Sequence, residues 1–293
     1  MSEEPQYPGP SQPGQNGGDQ PLPAGEFDGI EPAQPAEQPL RVEMPDYRPI
    51  ITYTVMALTV FVFLLQQSGD ALRAAGIENY CLSYPVNAFF LNDLPACFGM
   101  KVNIYISELG EWWRLFTPML LHGSLLHIGF NMYALYILGG SLERFYGHWQ
   151  FLTLYIVAGF AGNVASFALT DAPSLGASTA VFGLIGAQGV FAYHNRSVFG
   201  PLARRALRDI VGLALFNLFI GYSIPGIDNW GHIGGLVGGV AVAWFGGPQF
   251  ELVGTRPDLS LKNKRAGVMI VLAGLGVLIL FAAIAQGVIL FPF

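Results

Sequence analysis

Four polar side chains stand in otherwise apolar stretches of the sequence, and their types could support nucleophilic catalysis. Ser178 lies in the small-residue run Gly176–Gly183, and His232 opens a glycine-rich run. A serine hydroxyl becomes an effective nucleophile when a histidine accepts its proton. His127 and Asn131 are four residues apart, so they share a helix face and could donate hydrogen bonds to an oxyanion.

Each of these residues also has a purely structural interpretation. Serine and glycine are common where membrane helices pack closely, and asparagine or histidine can hydrogen-bond between helices. The chemical interpretation is favoured because Ser178 and His232 each begin an apolar segment that runs in the same direction across the membrane. Gly231, Gly235 and Gly239 repeat every four residues, which lets a neighbouring helix approach at backbone distance.

The composition requires a membrane environment for these segments. Of the 293 residues, 52% are hydrophobic and only 12% are charged, against about a quarter charged in soluble domains. Residues 1–49 hold nine acidic and two basic side chains and 11 of the 20 prolines. We therefore expect a disordered acidic cytoplasmic tail that is neither a signal peptide nor a transit peptide, and no nucleic-acid partner.

Seven apolar runs are candidates for membrane-spanning helices, which need about 20 mainly apolar residues to cross the hydrocarbon layer, although the fourth, fifth and sixth runs are short or rich in glycine. They predict an all-α protein, a polytopic bundle of membrane helices. The runs are Ile50–Leu65, Leu115–Leu138, Phe151–Leu169, Ser178–Tyr193, Ile210–Tyr222, Gly231–Phe245 and Val268–Leu290.

Basic residues predict the orientation. With a cytoplasmic N-terminus, eleven Lys and Arg residues fall in cytoplasmic segments and three in outer ones, as the positive-inside rule requires. The segment 66–114 is then an outer loop, long enough to be partly structured. It holds both cysteines, Cys81 and Cys97, which an outer location would permit to form a disulfide. It ends in Trp112-Trp113-Arg114, which we interpret as an interfacial anchor.

The ordered set of motifs resembles the rhomboid family of intramembrane serine proteases over about residues 50–247. Any one motif is weak, but together they occur in the family's order and at its spacing. They are Trp113-Arg114, His122 with His127 and Asn131, Gly139-Gly140-x-x-Glu143-Arg144, Gly176-x-Ser178 and His232-x-x-Gly235-x-x-x-Gly239.

The resemblance implies a serine endopeptidase that cleaves single-span or polytopic membrane proteins within the lipid bilayer, without a cofactor or metal. It implies a catalytic dyad of Ser178 and His232 with no third acid. His127, Asn131 and the Ser178 N–H would form the oxyanion hole, with His122 supporting them. The resemblance also implies a six-helix catalytic domain over residues 50–247, followed by a cytoplasmic linker at 248–265 and an additional transmembrane helix in 266–293, with the fifth helix gating access for substrates. Separately, the acidic tail, which is unlike a transit peptide, makes a bacterial plasma membrane the expected location.

Two positions depart from the family pattern. Thr179 stands where the family often has glycine, which could crowd the start of the fourth helix. Phe182 replaces a frequent tyrosine, so a ring can still stack on His232 but offers no hydroxyl. In addition, Asp228 precedes His232 by four residues and could reach the imidazole if the sixth helix begins early enough.

Two alternative functions remain open at this point. A catalytically silent rhomboid-like protein would bind transmembrane helices without cutting them, and losing Ser178 or His232 would have favoured it. A small transporter or channel would place ionisable groups across the membrane depth, whereas the candidates here cluster near the outer face. No His-Glu-x-x-His motif and no pair of aspartates within the apolar runs occurs, which argues against zinc and aspartyl proteases.

Overall fold

The computed structural model describes residues 48–68, 93–253, 258–264 and 266–290. The predicted disordered tail, apart from Arg48 and Pro49, lies outside the described residues, as does Cys81. The described parts of the chain form a bundle of helices with one small hairpin. The prediction of a helical membrane bundle is confirmed.

The helices and strands follow one another in a simple order. Two 3-10 turns, Trp112–Leu115 and Thr117–Leu120, and a π-helical segment, Leu135–Gly139, interrupt the α-helices. The regular elements are α1 (Ile50–Gln66), α2 (Leu94–Gly99), α3 (Asn103–Ser107), α4 (Leu125–Ala134), α5 (Gly140–Tyr146), α6 (His148–Leu169), α7 (Ser178–His194), α8 (Arg196–Ser223), α9 (Asn229–Gly246), β1 (Phe250–Val253), β2 (Asp258–Leu261) and α10 (Ala266–Leu290).

Four helical segments of the described chain are long and apolar enough to cross a membrane. They are Leu125–Tyr146, His148–Leu169, Arg196–Ser223 and Ala266–Ile289, and Ile50–Gln66 is a shorter apolar helix. The glycine-rich α7 and α9 are not among these four segments, and much of each helix is buried against its neighbours.

The core is built on α9, which packs against both α6 and α7. A Cβ atom added at Gly235 would lie 2.0 Å from the Thr179 carbonyl oxygen, and one at Gly239 would lie 2.1 Å from the Gly183 oxygen. No side chain fits in these spaces, so the glycine face brings α7 and α9 to backbone distance, as the four-residue repeat predicted. This contact sets how far apart the first residues of the two helices lie.

The C-terminal helix α10 packs along α6 and against the end of α9. A Cβ at Gly246 would lie 2.2 Å from the Ile270 Cα, and one at Gly274 would lie 2.9 Å from Thr153 Cγ2. Towards the other end of α10, Ala285 is buried in a second apolar cluster. These contacts run from Thr153 to the second cluster, so α10 packs along much of α6.

The second predicted span begins later than expected, because its helix α4 starts at Leu125 rather than Leu115. Leu115 and Met119 are buried in the 3-10 turns. Hydropathy could not separate these residues from a membrane span, because protein interior and lipid are equally apolar. Ser124 caps the start of this helix, because its hydroxyl accepts a hydrogen bond from the His127 N–H at 3.1 Å.

The fifth predicted span is longer than expected, and the predicted linker contains two β-strands. Helix α8 starts at Arg196 rather than near Ile210. It bends at Gly200, which has a φ of +50° and stands immediately before Pro201. The predicted linker 248–265 contains the antiparallel pair β1 and β2. Charged residues lowered the apparent hydropathy at the start of α8, although they lie on its exposed surface.

The structure of residues 93–114 corrects the interpretation of Arg114 as an interfacial anchor. Its guanidinium is 2% exposed and donates to the carbonyl oxygens of Met100 and Cys97, each at 2.8 Å, and pairs with Glu111. Trp113 remains about half exposed and donates its indole N–H to the Phe98 oxygen. Cys97 is disulfide-bonded. Arg114 is thus the buried centre that holds this segment together.

Candidate active site

Ser178 and His232 lie in hydrogen-bond contact at the starts of two neighbouring helices. The His232 Nε2 and Ser178 Oγ atoms are 2.9 Å apart. Ser178 is the first residue of α7 and is half-buried, whereas His232 lies in the first turn of α9 and is 8% exposed. The imidazole stacks on Phe182, with ring centres 4.2 Å apart and planes 9° from parallel. The pairing and the aromatic stack predicted from the sequence are both present.

The chain before Ser178 takes a conformation that only glycine adopts easily. Gly176 has a φ of +137°, and a Cβ there would lie 2.8 Å from both Cε1 and Nε2 of His127 and 3.5 Å from the Ser178 Oγ. The absence of a side chain at this position lets the His127 ring lie beside the serine. The Gly-x-Ser spacing therefore serves both the turn and the approach of His127.

His122 supports the same turn from behind. It is almost fully buried, and its Nε2 accepts a long hydrogen bond of 3.4 Å from the N–H of Ala177, the residue before the serine. Its ring meets the His127 ring edge-on at 4.9 Å between centres. His122 lies in the connection before α4, not inside a span as predicted, because the helix starts only at Leu125.

His127 and Asn131 lie on the same face of α4. The Gly123 N–H approaches the His127 Nδ1 at 3.5 Å, which leaves the ring proton on Nε2, the atom nearest Gly176. The Asn131 amide donates one N–H to the His127 carbonyl oxygen at 2.9 Å and is 6% exposed. An amide nitrogen carries a second N–H, so Asn131 retains a donor for another acceptor.

Two residues that sequence analysis did not select hold the site together. Gln66, at the end of α1, receives the His122 N–H at 3.0 Å and donates to the His122 oxygen at 3.2 Å and to Asp93 at 2.7 Å. Lys101 is fully buried, and its ammonium donates to the oxygens of Thr170 and Ala172 at 2.8 and 2.9 Å. No local sequence signal marks either residue, since both act across long sequence separations.

Burial also determines the pKa values of Lys101 and Asp93. Burial lowers the pKa of Lys101 to about 8, and the nearby carboxylates of Asp228 and Asp171 oppose that shift. Burial also raises the pKa of Asp93, against the hydrogen bonds from Gln66 and Ala96. In the described ranges, no group of three or more His, Cys, Asp or Glu side chains could hold a metal ion.

The fold and the paired serine and histidine define a polytopic helical protein with a serine–histidine site at the start of two packed helices. A family model described as "Rhomboid domain" matches residues 109–249. The putative rhomboid protease YdcA of Bacillus subtilis (strain 168) is 31% identical over 137 residues, which are 46% of this chain and 67% of that protein. The chain belongs to the rhomboid family, and it is a multi-pass integral membrane protein.

Two longer relatives match a larger share of this chain, but the match covers a smaller share of their own length. Rhomboid protease GluP of Bacillus subtilis is 37% identical over 211 residues, which are 71% of this chain and 37% of GluP. RHOMBOID-like protein 9, chloroplastic, of Arabidopsis thaliana is 34% identical over 170 residues, 57% of this chain and 38% of its own length. This chain therefore spans less than half of each of these two relatives.

Proposed function

We propose that this protein is an intramembrane serine endopeptidase that hydrolyses peptide bonds in or near transmembrane segments of membrane proteins. The observation that carries the proposal is the 2.9 Å contact between His232 Nε2 and Ser178 Oγ. Bacterial relatives named rhomboid proteases support the same activity. In this proposal Ser178 is the nucleophile and His232 is the general base.

The proposed reaction follows the usual two stages of acyl transfer. His232 Nε2 takes the proton from Ser178 Oγ as the oxygen attacks the substrate carbonyl. The imidazolium then gives that proton to the leaving amine, and an acyl-enzyme remains on Ser178. Water, activated by the same imidazole, attacks the acyl-enzyme and releases the second product.

The proposed oxyanion hole uses three donors around the turn at Gly176. The Ser178 N–H is the first of α7 and has no acceptor within its own helix, and the positive end of the helix dipole points the same way. The His127 Nε2–H and the second N–H of Asn131 supply side-chain donors. Removing one such donor typically costs about 3–4 kcal/mol in the barrier.

The lipid-exposed helix faces support access from the bilayer. On α4, Phe130 and Tyr133 are largely exposed, and on α8 Phe216, Phe219 and Tyr222 are as well. Helix α8 packs chiefly on α7, so its displacement would disturb few other contacts. We propose that a substrate helix approaches between α4 and α8 and unwinds locally, because a continuous helix hides its carbonyl groups in hydrogen bonds.

The orientation and location are also proposals. The eleven-to-three distribution of basic residues supports a cytoplasmic N-terminus, which places Ser178 towards the outer side. Exposed Arg204, Arg205 and Arg208 cluster at the opposite, cytoplasmic end of α8. We propose the plasma membrane of a bacterium, in line with the Bacillus relatives.

A second candidate function is that of a catalytically silent helix-binding protein. This candidate is retained because several plant relatives are named rhomboid-like proteins rather than rhomboid proteases. It would use the same exposed faces of α4 and α8 but would not use the serine.

The test is cleavage of a model transmembrane substrate by purified protein, comparing wild type with Ser178→Ala and His232→Ala. Matched controls are Ser223→Ala, which removes an exposed hydroxyl bonded to its own helix, and His194→Ala at the cytoplasmic end of α7. The proposal expects cleavage by wild type and both controls, and loss of at least 10³-fold in both site variants. A wild type that cuts no substrate and resists fluorophosphonate labelling at Ser178 would favour the silent protein.

A further inference from the structure

Asp228 fixes the start of the helix that carries His232. It immediately precedes α9, and its Oδ1 accepts a hydrogen bond from the Gly231 N–H at 2.9 Å. Its main-chain oxygen accepts the His232 N–H at 3.1 Å. One residue thus bonds two consecutive N–H groups of the first turn. The backbone of His232 is thereby held in the position that brings Nε2 to Ser178.

The location of His232 creates an electrostatic problem for a general base. The N-terminus of a helix carries a partial positive charge, which disfavours a second positive charge in the first turn. His232 lies in that turn, and it becomes an imidazolium when it accepts the serine proton. A carboxylate at the N-cap offsets both the helix dipole and the new cation. Asp228 is the acidic residue at that cap.

Two buried atoms on this turn also have complementary chemistry. The Asp228 Oδ2 and the His232 Nδ1 are both buried and have no hydrogen-bond partner among the described residues. In the proposed mechanism the serine hydroxyl donates to Nε2, which places the ring proton on Nδ1. Residues four apart share a helix face, so an acceptor and a donor lie on one side of the same turn.

We propose that Asp228 is a positioning residue for His232, and that its negative charge stabilises the imidazolium formed during the reaction. This inference rests on the proposed protease function. The groups that act electrostatically on the ring are Asp228 and His127, and Asp228 is itself within electrostatic range of the Lys101 ammonium, as is Asp171. Asp228 is the anion among the groups acting directly on the ring.

The test separates the charge of Asp228 from its capping role. Asp228→Asn and Asp228→Ser keep side-chain oxygens that can cap α9 but remove the charge, whereas Asp228→Ala removes both. Asp209→Asn, which neutralises an exposed carboxylate on α8, is the matched control. Each protein is purified whole in detergent, and kcat, KM and the pH dependence of kcat are measured with one transmembrane substrate.

We expect Asp228→Asn to lower kcat about tenfold with little change in KM, as for the loss of one nearby charge. The acidic limb of its pH profile should move to lower pH, because the imidazolium is less stable without the carboxylate. Asp228→Ser should behave in the same way, and Asp209→Asn should match wild type. Wild-type kcat and an unmoved acidic limb in both Asp228→Asn and Asp228→Ser would overturn the inference.

A second readout does not depend on cleavage. The pH midpoint of the His232 ring resonance, followed by NMR with labelled histidine, should be lower in Asp228→Asn than in wild type. An unchanged midpoint overturns the inference even if no substrate is cut. Failure of the proposed function itself would be seen separately, as a wild type that neither cleaves nor reacts with a fluorophosphonate.

Discussion

Replacing Gly235 by alanine tests whether backbone contact between α7 and α9 sets the geometry of the site. The added Cβ would lie 2.0 Å from the carbonyl oxygen of Thr179, the residue after the serine. An ordinary contact is about 3.4 Å or more, so the two helices must separate by over about 1 Å. The Cβ position is fixed by the backbone and its contact is a backbone oxygen, so no rotamer change can relieve the overlap.

The expected cost has two parts. Overpacking a well-filled core typically costs about 1–3 kcal/mol, and a contact with rigid backbone should lie at or above the upper end of that range. A displacement of about 1 Å at a reacting centre can reduce the rate about 10²-fold. We therefore expect Gly235→Ala to unfold at lower temperature and to lose most proteolytic activity.

The assay combines thermal unfolding in detergent with cleavage of a transmembrane substrate. Gly276→Ala is the matched control, because an added Cβ there meets nothing within 4 Å and the residue lies in α10, away from the site. It should be neutral or stabilise by about 0.5–1 kcal/mol, as alanine is the better helix former. A Gly235→Ala protein with wild-type unfolding and activity would refute the reasoning about backbone contact.

Three further predictions concern buried polar groups within residues 66–114. Arg114→Leu should destabilise the protein by about 3–5 kcal/mol, since it leaves Glu111 buried without its cation, and thermal unfolding measures this. Lys101, with a folded pKa of about 8 and an ordinary value of 10.5, binds fewer protons folded than unfolded between those values. Stability should therefore rise with pH across that window, by up to about 3 kcal/mol. Lys101→Met should abolish this rise in stability, which unfolding experiments from pH 7 to 10 measure. Gln66→Leu should cost about 1–3 kcal/mol for each unpaired peptide group of His122, and both unfolding and cleavage report it.

The outcomes that would contradict these predictions differ. An Arg114→Leu protein that melts as wild type would mean that Arg114 is exposed to water. Stability that is flat with pH in wild type would mean that Lys101 is hydrated, and wild-type activity in Gln66→Leu would mean that another group holds His122. Arg205→Leu, at a well-exposed arginine of α8, controls for loss of a surface charge.

The membrane bundle and the pairing of the two site residues were predictable from local patterns. Long apolar runs must form helices in lipid, because their backbone groups find no other partner there. The glycines at four-residue spacing predicted close packing, and Ser178 and His232 were predicted to begin their helices at one depth. Their contact at 2.9 Å agrees with that expectation, while their catalytic roles stay a prediction.

The start of the second helix and the function of Arg114 were not predictable in this way. Hydropathy measures preference for an apolar environment, and it does not distinguish lipid from protein interior. Leu115 and Met119 are buried among protein atoms outside any helix that spans the membrane. Arg114 was taken for a lipid-facing anchor because the carbonyl groups it binds are distant in sequence.

The sequence by itself determined the helical class of this protein and the glycine faces that bring α7 and α9 together. These follow from local periodicity and from the cost of polar groups in lipid. Only the tertiary structure decided how Gln66 and Lys101 support the site, whereas the hydrogen bonds of Asp228 are local to the first turn of α9. Gln66 and Lys101 bond chiefly to backbone groups that are distant in sequence, and because every residue carries such groups, the choice of partner depends on how the chain folds and not on residue type.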